Sequence, residues 1–431
     1  MKVKRLREDF VVREMTQFPV PGGPHATYLL EKSGLGTPEA IQEIIKCWNL
    51  SRSQIGYGGL KDRHAVTAQT ITIYRGPERD IEQRSFTLTY IGQAPREFGA
   101  KDIESNAFEI TLRGLRADKV DAIEQACATL AAGIPNYFDD QRFGSLGASR
   151  QFVAQPWCLG DYERALFLMI AEQNTHDRPR ERDQKEILRK HWGDWIECKR
   201  ILDRSHRRSI VTYLCDHPTD FRRALALVRI DLRSIYVAAF QSQLWNQVVA
   251  QWWRNQLPDS QLLKVQGVGS ELVFPATMNA ELTAKARRLQ IPLPSARQKD
   301  WHPEIGALLD AVLTAYSMQR HEIRLKFPRD TFFSKGVRDV LLLPKGLKWS
   351  RDLDEVVGRD DIFKLKLDFS LLRGQYATML IKFLDTVSHG AVSDMFEEEA
   401  VAEPDADSEV ESAYQAEPES GEGNTEFGSE F

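Results

Sequence analysis

Lys61, Asp62, Arg63 and His64 follow a glycine pair, Gly58-Gly59, and lead into an alternating run ending at Tyr74. A carboxylate set among three potential cations is held ionised, and an ionised carboxylate presented on a turn can act as nucleophile or base. The same spacing also describes a salt-bridged surface turn. A second cluster, Pro135-Asn136-Tyr137-Phe138-Asp139-Asp140-Gln141-Arg142-Phe143-Gly144, combines amides, aromatic rings and an arginine. An unstacked RNA base needs that combination for edge contacts, stacking and phosphate anchoring, though a core aromatic pair beside a loop has the same composition. The third cluster runs from Phe369 to Thr378 and reads as strand, glycine turn and a helix starting near Tyr376, whose ring taken alone belongs to packing.

The elements that must carry these clusters are legible from periodicity. Thr37-Pro38-Glu39 offers a cap followed by proline in the first turn, and Ala40, Ile41, Ile44, Ile45 and Trp48 continue at helical spacing. Gln69, Ile71 and Ile73 alternate with Ala68, Thr70 and Thr72, and Phe108, Ile110 and Leu112 alternate with Glu109, Thr111 and Arg113, so two half-buried strands are expected. Val120, Ile123, Cys127 and Leu130 mark a second helix that stops at Gly133. The first 145 residues therefore read as α+β. A long helical stripe from near Leu232 to Trp253 follows, and strand patterns return at Val340 to Leu343 and at Phe363, Leu365, Leu367 and Phe369. This return predicts one α+β domain (1–154 and 326–395) interrupted by a mostly helical insertion (155–325). Residues 396–431, rich in Glu, Asp, Ser, Pro and Gly, are expected to form a disordered tail.

The chain of 431 residues is 42% hydrophobic and 28% charged, an ordinary globular composition that excludes fibrous and disulfide-scaffold classes. The tail holds 13 Asp or Glu and no Lys or Arg, which moves the balance from −5 for the whole chain to +8 for residues 1–395. Residues 178–208 add 11 Lys or Arg against 6 Asp or Glu. A basic body suits a polyanionic partner, and a solvated helix face has the same look. Cys47, Cys127, Cys158, Cys198 and Cys215 form no Cys-x-x-Cys pair, so a reducing, cytoplasmic compartment is expected, with no metal site. Lys2, Lys4, Arg5 and Arg7 have no apolar run behind them, and the stretch Ser234 to Trp253 is too polar to span a bilayer. No membrane role follows.

Taken together, Gly59-x-Lys61-Asp62-x-x-Ala65-x-Thr67-x-Gln69, Asn136-Tyr137-Phe138-x-x-Gln141-Arg142-Phe143-Gly144 and Gly374-x-Tyr376-Ala377-Thr378 resemble the signature blocks of the TruD family of tRNA pseudouridine synthases. Lys4-x-x-x-Glu8-Asp9-Phe10-x-Val12-x-Glu14 and Ser234-x-x-x-x-x-Phe240-Gln241-Ser242-x-Leu244-Trp245-Asn246 agree with it, and the likeness runs from about residue 2 to 387. Two turns depart from the pattern: Asp139 stands where glycine is usual, and Leu372-Arg373-Gly374 replaces a Leu-Pro-x-Gly turn.

The resemblance implies a pseudouridine-synthase-like catalytic domain with a mixed or antiparallel sheet, the insertion being a TRUD-type RNA-binding domain. It implies isomerisation of a tRNA uridine, at position 13 of the D-arm, by glycosidic cleavage, base rotation and rejoining through C5. It makes Asp62 the essential carboxylate, with Lys4 as counter-ion, Lys61 as the alternative one, and Asn136 orienting Asp62 or reading the uracil edge. Tyr376 would stack on the flipped base and Phe138 wedge against it. Arg63, His64, Gln141 and Arg142 would contact RNA. tRNA is the partner implied, without cofactor or obligate protein partner.

Other chemistries find less footing. His302-Pro303-Glu304 imitates half of a zinc deaminase signature but lacks Pro-Cys-x-x-Cys, and neither a P-loop nor Gly-x-Ser-x-Gly is present. The alternative from another class is a protein of the same fold that clamps tRNA without modifying it, from which Asp62 alone separates the enzyme.

Overall fold

The computed structural model describes residues 3–175, 177–327 and 331–389; the expected acidic tail lies outside them. The first part runs β1 (Phe10–Met15), β2 (His25–Ser33), α1 (Thr37–Trp48), β3 (Ile55–Tyr57), β4 (Val66–Tyr74), β5 (Ile81–Glu82), β6 (Phe86–Ala94), β7 (Ser105–Arg116), α2 (Ala117–Thr129) and β8 (Ile134–Pro135). Helices α3 (Ala154–Leu159), α4 (Tyr162–Ile170), α5 (Pro179–Lys190), α6 (Trp195–Ile201), α7 (His206–Asp216), α8 (Phe221–Ala226) and α9 (Ile230–Gln256) follow. Then come β9 (Leu262–Gln266), β10 (Glu271–Pro275), α10 (Ala280–Arg288), β11 (Gln290–Pro292) and α11 (Pro303–Ala315). The chain closes with β12 (Val337–Asp339), β13 (Leu341–Leu342), β14 (Lys345–Leu353), β15 (Ile362–Leu372) and α12 (Ala377–His389).

The fold is mixed α and β around one nine-stranded sheet in the order β14-β15-β7-β1-β4-β2-β6-β5, with β3 also paired to β4. Only β1 and β4 run parallel among these pairs; the rest are antiparallel. The chain leaves this sheet region through β8 and returns through β13, and these two pair with each other, Ile134 opposite Leu342 and Pro135 opposite Leu341. The long excursion between them is helical with three additions that periodicity did not indicate: the hairpin β9–β10, strand β11, and the pairing of β11 with β12. The expected strand over Val340–Leu343 is likewise only the two-residue β13, with β12 just before it.

α1 starts at Thr37-Pro38, but its cap is Gly36 and not the expected Thr37, whose hydroxyl is turned to Gln69 and Lys61; its apolar stripe, Ile41 and Ile44, packs on Tyr28, Leu30, Ile71, Ile73 and Leu88. Burying a side chain such as Ile44 is worth about 2–5 kcal/mol against alanine. β4 corrects one expectation. It is buried on both faces rather than half-buried, because α1 covers the Gln69, Ile71, Ile73 face while the Phe98 backbone closes the other by donating to Thr72 Oγ1 at 2.9 Å.

Candidate active site

Register places Phe10, Val12 and Glu14 of β1 on one sheet face with Asn106, Phe108 and Ile110 of β7 and with Leu367, Phe369 and Leu371 of β15. The rings of Phe10, Phe108 and Phe369 make a continuous floor: Phe108 stacks on Phe369 at 5.4 Å and meets Phe10 edge-on at 6.3 Å. The loop after Gly59 lies over this face, and its backbone is pinned from three directions. Thr37 Oγ1 accepts from Lys61 N–H at 2.9 Å and donates to Gln69 Oε1 at 2.8 Å, while Gln69 Nε2 donates to Gly59 O at 3.1 Å. This explains the glutamine ten residues after Gly59: it closes a hydrogen-bonded frame around the loop.

Lys32 completes the frame. Its ammonium, almost wholly buried, donates to Leu35 O (2.6 Å), Asp62 O (3.0 Å) and Lys61 O (3.3 Å). Burial pushes its pKa down to about 8, against the opposing pull of Asp62 and Glu39. The sequence carried a signal for Lys32 that went unread: Ala26, Tyr28, Leu30 and Lys32 share the inward phase of β2, where a charged residue is out of place unless it has work to do.

Asp62 points away from that frame. Its Oδ2 accepts from Lys4 Nζ, and its Oδ1 accepts from the backbone N–H of His64 at 3.1 Å. Burial pushes the Asp62 carboxyl up, but the Lys4 ammonium and the His64 amide outweigh it, leaving the pKa below the ordinary aspartate value. The carboxylate is about one-third exposed, so it is ionised and reachable. Lys4 sits 4.6 Å over the Phe10 ring and holds a left-handed backbone, φ 60°, rare for a side chain of its kind. Its approach is set from behind: Leu6 N–H donates to Asp9 Oδ2 at 2.8 Å, and buried Asp9 is gripped by Arg113, which also binds Asp354.

Lys61, the alternative counter-ion, is placed elsewhere. Its ammonium lies 3.2 Å from buried Glu14 and donates to Asn106 Oδ1 at 2.6 Å. Burial raises the Glu14 pKa despite Lys61. Glu14 and Asn106 face each other across β1 and β7, and Asn106 faces Leu371 of β15. Lys61 thus ties the Asp62 loop to the strand rung from which β15 turns towards Tyr376.

Asn136 neither orients Asp62 nor offers a free amide edge. It is buried, its Nδ2 donates to Asp339 O at 2.9 Å, and its Oδ1 accepts from Arg338 at 2.7 Å. Phe138 is also buried, edge-on to Trp245 at 5.6 Å and to Tyr376 at 6.4 Å. Its backbone is paired both ways with Asn246: Phe138 N–H donates at 2.8 Å and Asn246 Nδ2 donates to Phe138 O at 2.9 Å. It backs Tyr376 instead of standing free as a wedge. Arg338 joins the blocks, donating to Asn136 O (2.9 Å) and Gly374 O (2.7 Å). Gly374 supplies that carbonyl from a left-handed turn, φ 84°, where glycine is favoured. Nothing in the local sequence Val337-Arg338-Asp339 announced this arginine.

Both departures from the family pattern find partners. Asp139 is buried and accepts from Lys382 of α12 at 2.9 Å, as Asp140 does at 2.5 Å. Arg373 donates to Ala100 O. Gln141, Arg142 and His64 are exposed, and Arg63 reaches Glu39 at 3.5 Å. Among the described residues no helix is long and apolar enough to cross a membrane.

Comparison with known proteins agrees with this arrangement. The family model described as tRNA pseudouridine synthase D (TruD) matches residues 1–383. A relative from Methanococcus maripaludis, "Probable tRNA pseudouridine synthase D 1", is 27% identical over 89% of this chain and 98% of its own. One from Methanocaldococcus jannaschii, "Probable tRNA pseudouridine synthase D 2", is 29% identical over 89% and 91%. The crystal structure of a tRNA pseudouridine synthase D candidate from Methanosarcina mazei has the same fold, with a TM-score of 0.66 at 22% identity, covering 89% of this chain and 93% of that one. With a family model matched along nearly the whole described chain, this protein belongs to the TruD family of tRNA pseudouridine synthases.

Proposed function

We propose that the protein isomerises a uridine of tRNA, at position 13 in the D-arm, to pseudouridine, with Asp62 as the essential carboxylate. The observation that carries the reading is the Lys4–Asp62 ion pair, partly open to solvent beside an aromatic floor and framed by Lys32, Thr37 and Gln69. The reaction breaks the N1–C1′ bond, turns the uracil and forms C5–C1′; the C5 proton leaves to solvent and N1 gains one, so atoms balance without an oxidant. An anionic Asp62 serves either by attacking the ribose or the uracil, or by taking a ribose proton, and in each case it offsets positive charge developing on the sugar.

Extruding the uridine costs a few kcal/mol. Stacking on Tyr376 offsets about 1–3 kcal/mol of it. Arg63, His64, Gln141 and Arg142 then contact the RNA, chiefly its backbone, and the excursion over 155–325 extends the groove, with the two flanking segments (1–154 and 326 onward) as the catalytic part. On this proposal tRNA is the partner and the cytoplasm the compartment.

Tritium release from C5-labelled uracil in tRNA tests the reading. Wild type should release it and Asp62→Ala should not, and pseudouridine mapping should place the product at position 13. Equal release by the two proteins would remove Asp62 from the chemistry, and no release by wild type would favour the non-modifying binder.

A further inference from the structure

We propose that Arg338 is a substrate-binding residue whose guanidinium takes a phosphodiester oxygen beside the extruded nucleoside; the proposal rests on the reading of the site given above. Two other buried cations in this protein come with their own acids, whereas Lys32 is held by three backbone carbonyls. Arg113 has Asp9 at 2.7 Å and Asp354 at 2.9 Å, and Lys382 has Asp139 at 2.9 Å and Asp140 at 2.5 Å. Arg338 has none: among the described residues no carboxylate lies within ion-pair distance of it. Its acceptors are all neutral, namely Asn136 O (2.9 Å), Asn136 Oδ1 (2.7 Å), Tyr137 O (3.4 Å) and Gly374 O (2.7 Å).

Neutral dipoles orient the guanidinium plane, and its charge is only partly offset by the Asp339 carboxylate, which lies beyond ion-pair distance. That charge is also stripped of water, since the group is caged by Phe138 at 4.2 Å, Trp245 at 5.4 Å and Tyr376 at 5.8 Å, and burial lowers its pKa to about 10. A desolvated cation without a counter-ion in contact is expensive, and an arriving anion recovers the expense. A second guanidinium, Arg142, lies 5.5 Å from the Phe138 ring and also has no carboxylate within ion-pair distance among the described residues. Two guanidinium groups around one ring repel each other until an anion sits with them. Arg338 remains half-buried rather than sealed, and one Nη1 hydrogen is left over from its four acceptors. The remaining Nη1–H can donate to one phosphodiester oxygen, a charge-assisted bond from a donor whose orientation the other four contacts fix. Because the same guanidinium holds Gly374 O, a phosphate bound there would be set two residues from Tyr376.

The test is the salt dependence of binding to an unmodified tRNA transcript, using the full-length protein as wild type, Arg338→Gln and Arg338→Lys, each first checked for a wild-type melting transition. The Gln variant should bind roughly tenfold more weakly, and the slope of log K against log salt should flatten by about 1. The Lys variant should keep the slope and lose part of the affinity. A Gln variant with the wild-type slope would overturn the proposal, leaving Arg338 only as a fastener of two turns. Should the Gln variant not fold, the Lys variant decides: weakened affinity at unchanged slope supports the proposal, and wild-type affinity overturns it. Binding is read without turnover, so a failure of wild type to release tritium would count against the proposed reaction and leave the slope to judge Arg338.

Discussion

Glu14 holds Lys61 at 3.2 Å beneath the Asp62 loop, and so keeps that lysine away from the carboxylate next to it in sequence. Asp62 is left with the more distant Lys4 as its cation. One lysine builds the loop and another tunes it, a division that adjacency in sequence would have assigned the other way.

Lys4→Met should therefore act through Asp62. Burial alone pushes that carboxyl up and Lys4 is the largest influence pulling it down, so removing Lys4 raises the pKa. We expect the acid limb of the rate against pH to move to higher pH, with a drop at neutral pH of about a hundredfold. An unshifted limb would show that Lys4 does not tune Asp62.

Lys32 predicts an alkaline signature. Its folded pKa of about 8 lies below the ordinary lysine value of 10.5, so between those values the unfolded chain binds a proton that the folded chain has released. Its contribution to stability therefore rises with pH across that window. At the same time the ammonium gripping Lys61 O and Asp62 O is lost, and turnover should fall above about pH 8. Lys32→Met should give a lower rate that no longer falls there, measured from pH 7 to 9.

Lys382→Met should be severely destabilising. It strands buried Asp139 and partly buried Asp140, and breaking such a pair from one side costs about 3–5 kcal/mol. Burial pushes the Lys382 pKa down, but the two carboxylates outweigh it and raise it above 10.5. The contribution is then fully present below that pH and constant across neutral conditions. Urea unfolding at pH 7 reads the loss.

Tyr376→Ala should reduce turnover far more than tRNA affinity, because phosphate contacts dominate binding and stacking acts on one base. Equal losses in both measurements would contradict the stacking role.

Local rules made most of the frame legible. The Thr37-Pro38 start of α1, the Gly133 stop after α2 and the alternation of β7 and β15 are written in neighbouring residues. The misread positions all depend on chain-distant contacts. The resemblance sets Asn136 at Asp62 or at the uracil edge, yet its amide bonds Arg338 and Asp339, some 200 residues on. β4 was expected to show one face to solvent, and the Phe98 segment that covers it arrives from beyond β6. Glu14 and Lys32 did leave a trace, as charges on the inward phase of apolar strands.

The two-rung join of β8 to β13 has a further meaning. Since exit and re-entry are hydrogen-bonded neighbours, everything between them hangs from the sheet like a bag from its drawstring. Its outlying helices, α5 to α8, can change in length without re-threading a single strand of the nine-stranded sheet.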